Sequence, residues 1–174
     1  MNRKGPCPFA YQAVKSRRMT TEPQAGIHYL TVQDILWINH EVTGEVLPYK
    51  FAQLEEATFG QYAYGGSRDV INQAAAFLSS FTRLKPFDSG NRAAAFIAVM
   101  AFLALNGYSV VLEPARAADW YMRASGRTID ARVAILNAIA EGEPQPLDLR
   151  PAVRTVVRDL LKVYGGELEA IENA

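Results

Sequence analysis

The stretch RDVINQAAAFLSSFTRLKPFDSGNRAAAFIAVMAFLALN, residues 68–106, holds two helical patterns separated by a short interruption. Over Arg68–Leu84, the residues Val70, Ala74, Phe77, Leu78 and Phe81 recur at three- and four-residue steps, the period of a helix with one buried face. Pro86 ends that helix and pushes Lys85 toward an extended conformation. Arg92–Asn106 is apolar on nearly every side, and such a helix belongs at the centre of a bundle. Asn106–Gly107 is its stop signal. Its apolar run of about fourteen residues falls short of the roughly twenty that span a bilayer, so it reads as a core helix rather than a membrane segment.

Working outward, Thr31 caps an earlier helix with Asp34 three positions on. Val32, Ile35, Leu36, Ile38 and Val42 form its apolar side, and Gly44 marks its end. Asp34 and Glu41 read as capping or solvated charges. Between Pro48 and Gly66 a short helical piece, Phe51–Glu56, precedes Thr58, Phe59, Tyr62 and Tyr64. That aromatic run before Gly65–Gly66 predicts a short extended flap or hairpin, whose Phe59, Tyr62 and Tyr64 either line a ligand cleft or pack on the body. Helices are also predicted over Arg116–Ala124 and Ile129–Ala140, and a linker over Glu143–Pro146. A last amphipathic helix follows over Arg150–Val163, with Pro151 in its first turn. The fold is thus expected to be mainly α, with a central buried helix. Trp37 and Trp120 fall on helices, where packing is their expected use.

Residues 1–29 mix proline, glycine and basic residues without periodicity and read as an irregular arm that Phe9 and Tyr11 can pin to the body. The 174 residues suit one domain, and 49% hydrophobic with 21% charged residues is ordinary globular composition. Eighteen basic and eighteen acidic side chains cancel, which gives no reason to expect nucleic acid or an anionic membrane as partner. Cys7 is the only cysteine, so no intramolecular disulfide forms, and no apolar leader opens the chain; cytoplasm is the expected compartment. Neither His28 nor His40 is near Cys7 in sequence, which makes it an incidental thiol, and two histidines alone make no metal cluster.

The functional signal lies in the interruption, Lys85-Pro86-Phe87-Asp88-Ser89-Gly90-Asn91-Arg92. Gly90 permits close approach of backbone, and the first amides of the following helix point outward with the positive end of its dipole. Arg92 adds a forked cation. These parts suit a phosphate, although many loop-to-helix junctions offer them.

Residues 85–93 resemble the motif of the Fic/Doc (Fido) family, His-x-Phe-x-(Asp/Glu)-(Gly/Ala)-Asn-(Gly/Lys)-Arg, without gaps. Leu103-Ala104-Leu105-Asn106-Gly107-Tyr108 is similar to the end of the alanine-rich helix in the Doc-like (death-on-curing) branch. Leu54–Gly60 looks like the approach to that family's flap. The resemblance covers roughly residues 30–142, leaving 1–29 as the arm and 143–174 as a linker with a C-terminal helix.

What the resemblance implies is a helical bundle that moves a nucleotidyl or phosphoryl group from ATP or another nucleoside triphosphate to a protein hydroxyl, as an AMPylase-type or kinase-type enzyme. Phe87, Gly90 and Asn91 match the motif. Lys85 stands at the position of the catalytic histidine, Ser89 at that of the magnesium-binding acid, Arg92 where glycine or lysine is usual, and Ala93 at the terminal arginine. A free lysine, with pKa about 10.4, is protonated at neutral pH, whereas a histidine near about 6.5 is poised to accept a proton. Serine brings none of the charge that magnesium prefers. The expectation is therefore a degenerate, catalytically impaired Fic/Doc-like protein whose Gly90, Asn91 and Arg92 still bind phosphate or nucleotide, with Phe87 packing the loop and no metal site. The alternatives are an active transferase that uses Lys85, and a structural or interaction module, including a homo-oligomer formed through the last helix. Doc-like members resemble toxins held by an antitoxin, so an antitoxin-like or target protein is the expected partner.

Overall fold

In the computed structural model, which describes residues 26–126, 128–145 and 152–174, the chain is mainly helical. Its helices are α1 (Val32–Thr43), α2 (Phe51–Phe59), α3 (Val70–Leu84), α4 (Asn91–Leu105), α5 (Ala117–Ser125), α6 (Ala131–Ala138), α7 (Val153–Tyr164) and α8 (Leu168–Glu172). Every side chain of α4 from Ala93 to Leu103 is buried, and α1, α3, α7 and α8 pack around it. The small residues Ala94, Ala95, Ala98 and Ala101 let neighbouring helices approach closely, while Phe96 and Phe102 fill the space between them. Phe96 lies edge-on to both Trp120 and Tyr164, at 5.8 and 5.1 Å between ring centres. Trp120 donates its indole N–H to the Ala134 carbonyl at 2.8 Å.

The punctuation read from the sequence holds for α1, which has a full capping box between Thr31 and Asp34 and ends on Gly44 at φ 74°. Helix α3 starts on the Asp69 side chain and stops before Pro86. Lys85, however, is left-handed at φ 45° rather than extended. Its N–H closes the last turn onto the Phe81 carbonyl at 3.1 Å, which keeps a helix-end bond while proline bars only the right-handed helical conformation.

The hairpin expected over 58–64 is also replaced. Helix α2 runs through Thr58 and Phe59, and Gly60–Gly65 forms a 3-10 turn. Two packing demands explain this. A Cβ at Gly60 would sit 2.6 Å from Ser80 Cβ, so the turn lies directly on α3. The fully buried Gln61 accepts from the Leu30 N–H at 2.8 Å and donates to the Leu30 carbonyl at 2.7 Å, which fixes residue 61 inward. Among the described residues, extended pairing is limited to isolated antiparallel bridges, Tyr49 with Phe87 and Val110 with Ile139. Around the second bridge, Val111 N–H bonds Ala138 O, Ala140 N–H bonds Ser109 O, and Gln145 N–H bonds Gly107 O, at 2.8–2.9 Å. Ile139, being extended there, ends α6 short of the predicted Ala140.

Of the predicted arm, residues 26–29 run into the body. Asn106 brackets His28 by accepting from its N–H and donating to its carbonyl, both at 2.9 Å, and Tyr29 stacks on Tyr62. Residues 1–25, with Cys7, Phe9 and Tyr11, lie outside the described residues, as do Pro146 of the predicted linker and Arg150 and Pro151 of the last predicted helix. No helix of the described residues is long and apolar enough to cross a membrane.

Candidate functional site

The loop between α3 and α4 is held from three sides. Residues 48–50 run beside it, with Lys50 N–H on the Pro86 carbonyl at 2.9 Å and Asp88 N–H on the Pro48 carbonyl at 3.3 Å. Phe87 is buried between Phe81 and Tyr49. From α1, the Asn39 amide donates to the Ser89 carbonyl at 3.2 Å. Within the loop, Asn91 accepts from the Phe87 N–H at 2.9 Å and donates to the Phe87 carbonyl at 2.7 Å. Asn91 is thus a brace, and its amide is committed to the loop's own backbone.

Gly90 is left-handed at φ 72° and sits against α1. A Cβ there would overlap the Thr43 methyl group and come within 2.9 Å of the Asn39 amide nitrogen. With the loop so fixed, the first turn of α4 presents the N–H groups of Arg92 and Ala93, which have no partner within the helix. Both donate to one oxygen, Oε2 of Glu172, at 2.8 and 3.0 Å. The Arg92 guanidinium donates to the main-chain oxygen of Glu172 at 3.0 Å and also to that of Ala174. Helix α8 delivers this carboxylate, anchored by the fully buried Ile171. A shallow groove of about 320 Å³ lies alongside, lined by Thr43, Ser89, Gly90, Leu168, Glu169 and Glu172 among others. Behind it, burial pushes the Tyr121 phenol above its ordinary 10.0, and its hydroxyl pairs with that of Thr82 at 3.1 Å.

Of the residues singled out in the sequence, Phe87, Gly90, Asn91 and Arg92 come together. Lys85 is exposed at the C-cap of α3 and has no ion pair among the described residues. Phe59, Tyr62 and Tyr64 do not line this loop. Phe59 packs edge-on to Tyr62, Tyr62 stacks on Tyr29, and Tyr64 borders a separate groove with Ser79, Thr82 and Arg83. The aromatic residue beside the loop is Tyr49, which sequence reasoning does not single out; the same is true of Asn39 and Glu172. Glu172 carries no local signal, because its partners are some eighty positions away in the chain.

The donors at the start of α4 are N–H groups and a guanidinium, which fit a phosphate oxygen and do not fit a cation. Ser89 is exposed, and no group of three His, Cys, Asp or Glu residues suited to a metal ion occurs among the described residues. No family model, curated protein or solved structure matches this chain. Fold and site define a mainly helical protein with an oxyanion-accepting helix start, capped by a carboxylate from its own last helix.

Proposed function

We propose that this chain is a degenerate, catalytically impaired Fic/Doc-like protein of toxin–antitoxin origin, working in the cytoplasm, whose residue 85–93 loop binds a phosphate of ATP or another nucleoside triphosphate. The observation that supports this reading is the double donation from the Arg92 and Ala93 amides to one carboxylate oxygen. A phosphate oxygen has the same charge and acceptor chemistry, and the helix dipole favours either one. Glu172 is then the resting occupant, and nucleotide competes with it. Arg92, freed from the main-chain oxygens of 172 and 174, supplies the forked cation for a second phosphate oxygen. Lys85 at the position of the family's histidine, and Ser89 at that of its acid, leave the loop with binding and without a ready proton acceptor or a magnesium ligand. The function that remains is nucleotide-dependent interaction with an antitoxin-like or target protein.

Calorimetric titration with inorganic phosphate and with ATP tests the reading on three proteins: the natural chain, Glu172→Ala, and Glu172→Ala with Arg92→Ala. Removing the competing carboxylate is expected to tighten binding about tenfold or more, equivalent to ~1.4 kcal/mol. Removing Arg92 as well reverses the gain. If Glu172→Ala gives no heat at millimolar nucleotide while remaining folded, the loop is not an anion site.

A further inference from the structure

Outside the loop, the most unusual surface is the aromatic one around α2. Tyr49, Phe51, Phe59, Tyr62 and Tyr64 are exposed by 39 to 66%, and Val46 by 88%. On α2 itself, Leu54, Ala57 and Thr58 are buried, while Phe51, Ala52, Glu55 and Phe59 share the adjoining arc of about 100° at 3.6 residues per turn. The helix therefore buries one face in the core and turns two phenylalanines to water on the other. Through Phe59 and Tyr62 this face continues to Tyr29, where the rings stack 4.1 Å apart. Exposed aromatic surface of this kind is what a docking partner covers.

We infer that the occupant is the chain's own N-terminal segment, residues 3–18. The chain reaches the body at the edge of this face. Residues 28–30 are clamped by Asn106 and Gln61, and the described chain begins at Gly26, three positions before the Tyr29 ring that stacks on Tyr62. Length is no obstacle, since Gly26 lies seventeen positions beyond Phe9. At about 3.3 Å per residue that stretch spans several times the ~13 Å length of α2.

The chemistry matches as well. Phe9 and Tyr11 supply apolar anchors, and residues 1–25 contain five basic residues, Arg3, Lys4, Lys15, Arg17 and Arg18, to one acid, Glu22. Because the whole chain is neutral, residues 26–174 are net acidic. Glu55, set between Phe51 and Phe59, and Glu45 near Val46 have no ion pair among the described residues. The face ends at Tyr49, which packs on Phe87, so a segment seated on it also shields the flank of the loop.

Cys7 is the only thiol, two positions from Phe9, and takes a nitroxide label at a single site. With the 174-residue, nitrogen-15-labelled chain, the label is expected to broaden the amide signals of residues 49–62 in particular. The broadening should be lost in Phe51→Ser/Phe59→Ser and, with the body unaltered, in Phe9→Ser/Tyr11→Ser. Broadening spread evenly over the surface, or confined to another face, would overturn the inference. So would broadening that arises only between chains, seen when nitroxide-bearing protein of natural isotopic abundance is mixed with nitrogen-15 protein lacking the nitroxide, because a second copy would then be the occupant.

Discussion

Gly90 answers two demands at once, a left-handed backbone and the absence of a side chain against Thr43. Gly90→Ala should therefore cost more than either demand alone, about 1–3 kcal/mol from overpacking with a further ~1 kcal/mol from the backbone. Denaturant midpoints for Gly90→Ala and for Gly90→Ala with Thr43→Ser, which removes the offending methyl group, check this. The double variant should regain part of the loss, and a Gly90→Ala midpoint equal to that of the natural chain would contradict the packing. At this scale the sequence is legible for Gly90 as a point of close backbone approach, and it does not say that the neighbour approached is Thr43 of α1. It is ambiguous for Asn91. An asparagine there binds a ligand or braces its own loop with the same amide, and only the position of Phe87 decides between them. Lys85 departs from its expected conformation because the rule about the residue before proline excludes the right-handed helix without choosing between the two conformations left.

Helices are legible where periodicity and capping agree, as for α1, α3 and α4, each bounded by a residue with a physical reason to be there. They are not legible where tertiary contacts outweigh composition. The aromatic run before Gly65 has the content of a strand, yet Gly60 against Ser80 and Gln61 against Leu30 make it a helical turn. Helix α8 is five residues long, too short to display a period, so the carboxylate it carries cannot be placed from sequence. The hold of Gln61 on the entry segment has a measurable consequence. Gln61→Leu keeps the volume but strands the Leu30 N–H and carbonyl in the interior, at about 1–3 kcal/mol for each group left unsatisfied. Hydrogen exchange at the Leu30 amide should accelerate together with a fall in the unfolding midpoint. Unchanged exchange there would mean that the Gln61 side chain does not hold the entry segment.

For the molecule as a whole, the phenols give a pH limit. Burial raises Tyr121, Tyr164 and Tyr108 above the ordinary 10.0. In the unfolded chain these groups ionise near 10.0 while the folded chain resists, so their contribution to stability is constant below that pH and falls as pH rises through it. Unfolding followed from pH 8 to 11 should show this decline, and Tyr121→Phe should flatten it; an identical slope in the variant would remove Tyr121 from the account. Elsewhere, along the paired segments 107–111 and 138–145, the chain returns to within one hydrogen bond of its own earlier course. The span between them is a detour closed at its base, and within it α5 also packs on α8 and α6 on α3. Because closure entropy grows only as the logarithm of length, doubling such a detour costs about 0.6 kcal/mol. Added sequence confined to the turn between α5 and α6, which leaves the packing of α5 on α8 in place, is expected to stay inside the detour while α7 and α8 keep their register on α4. This is where the architecture can grow over evolutionary time without disturbing the end that closes the loop.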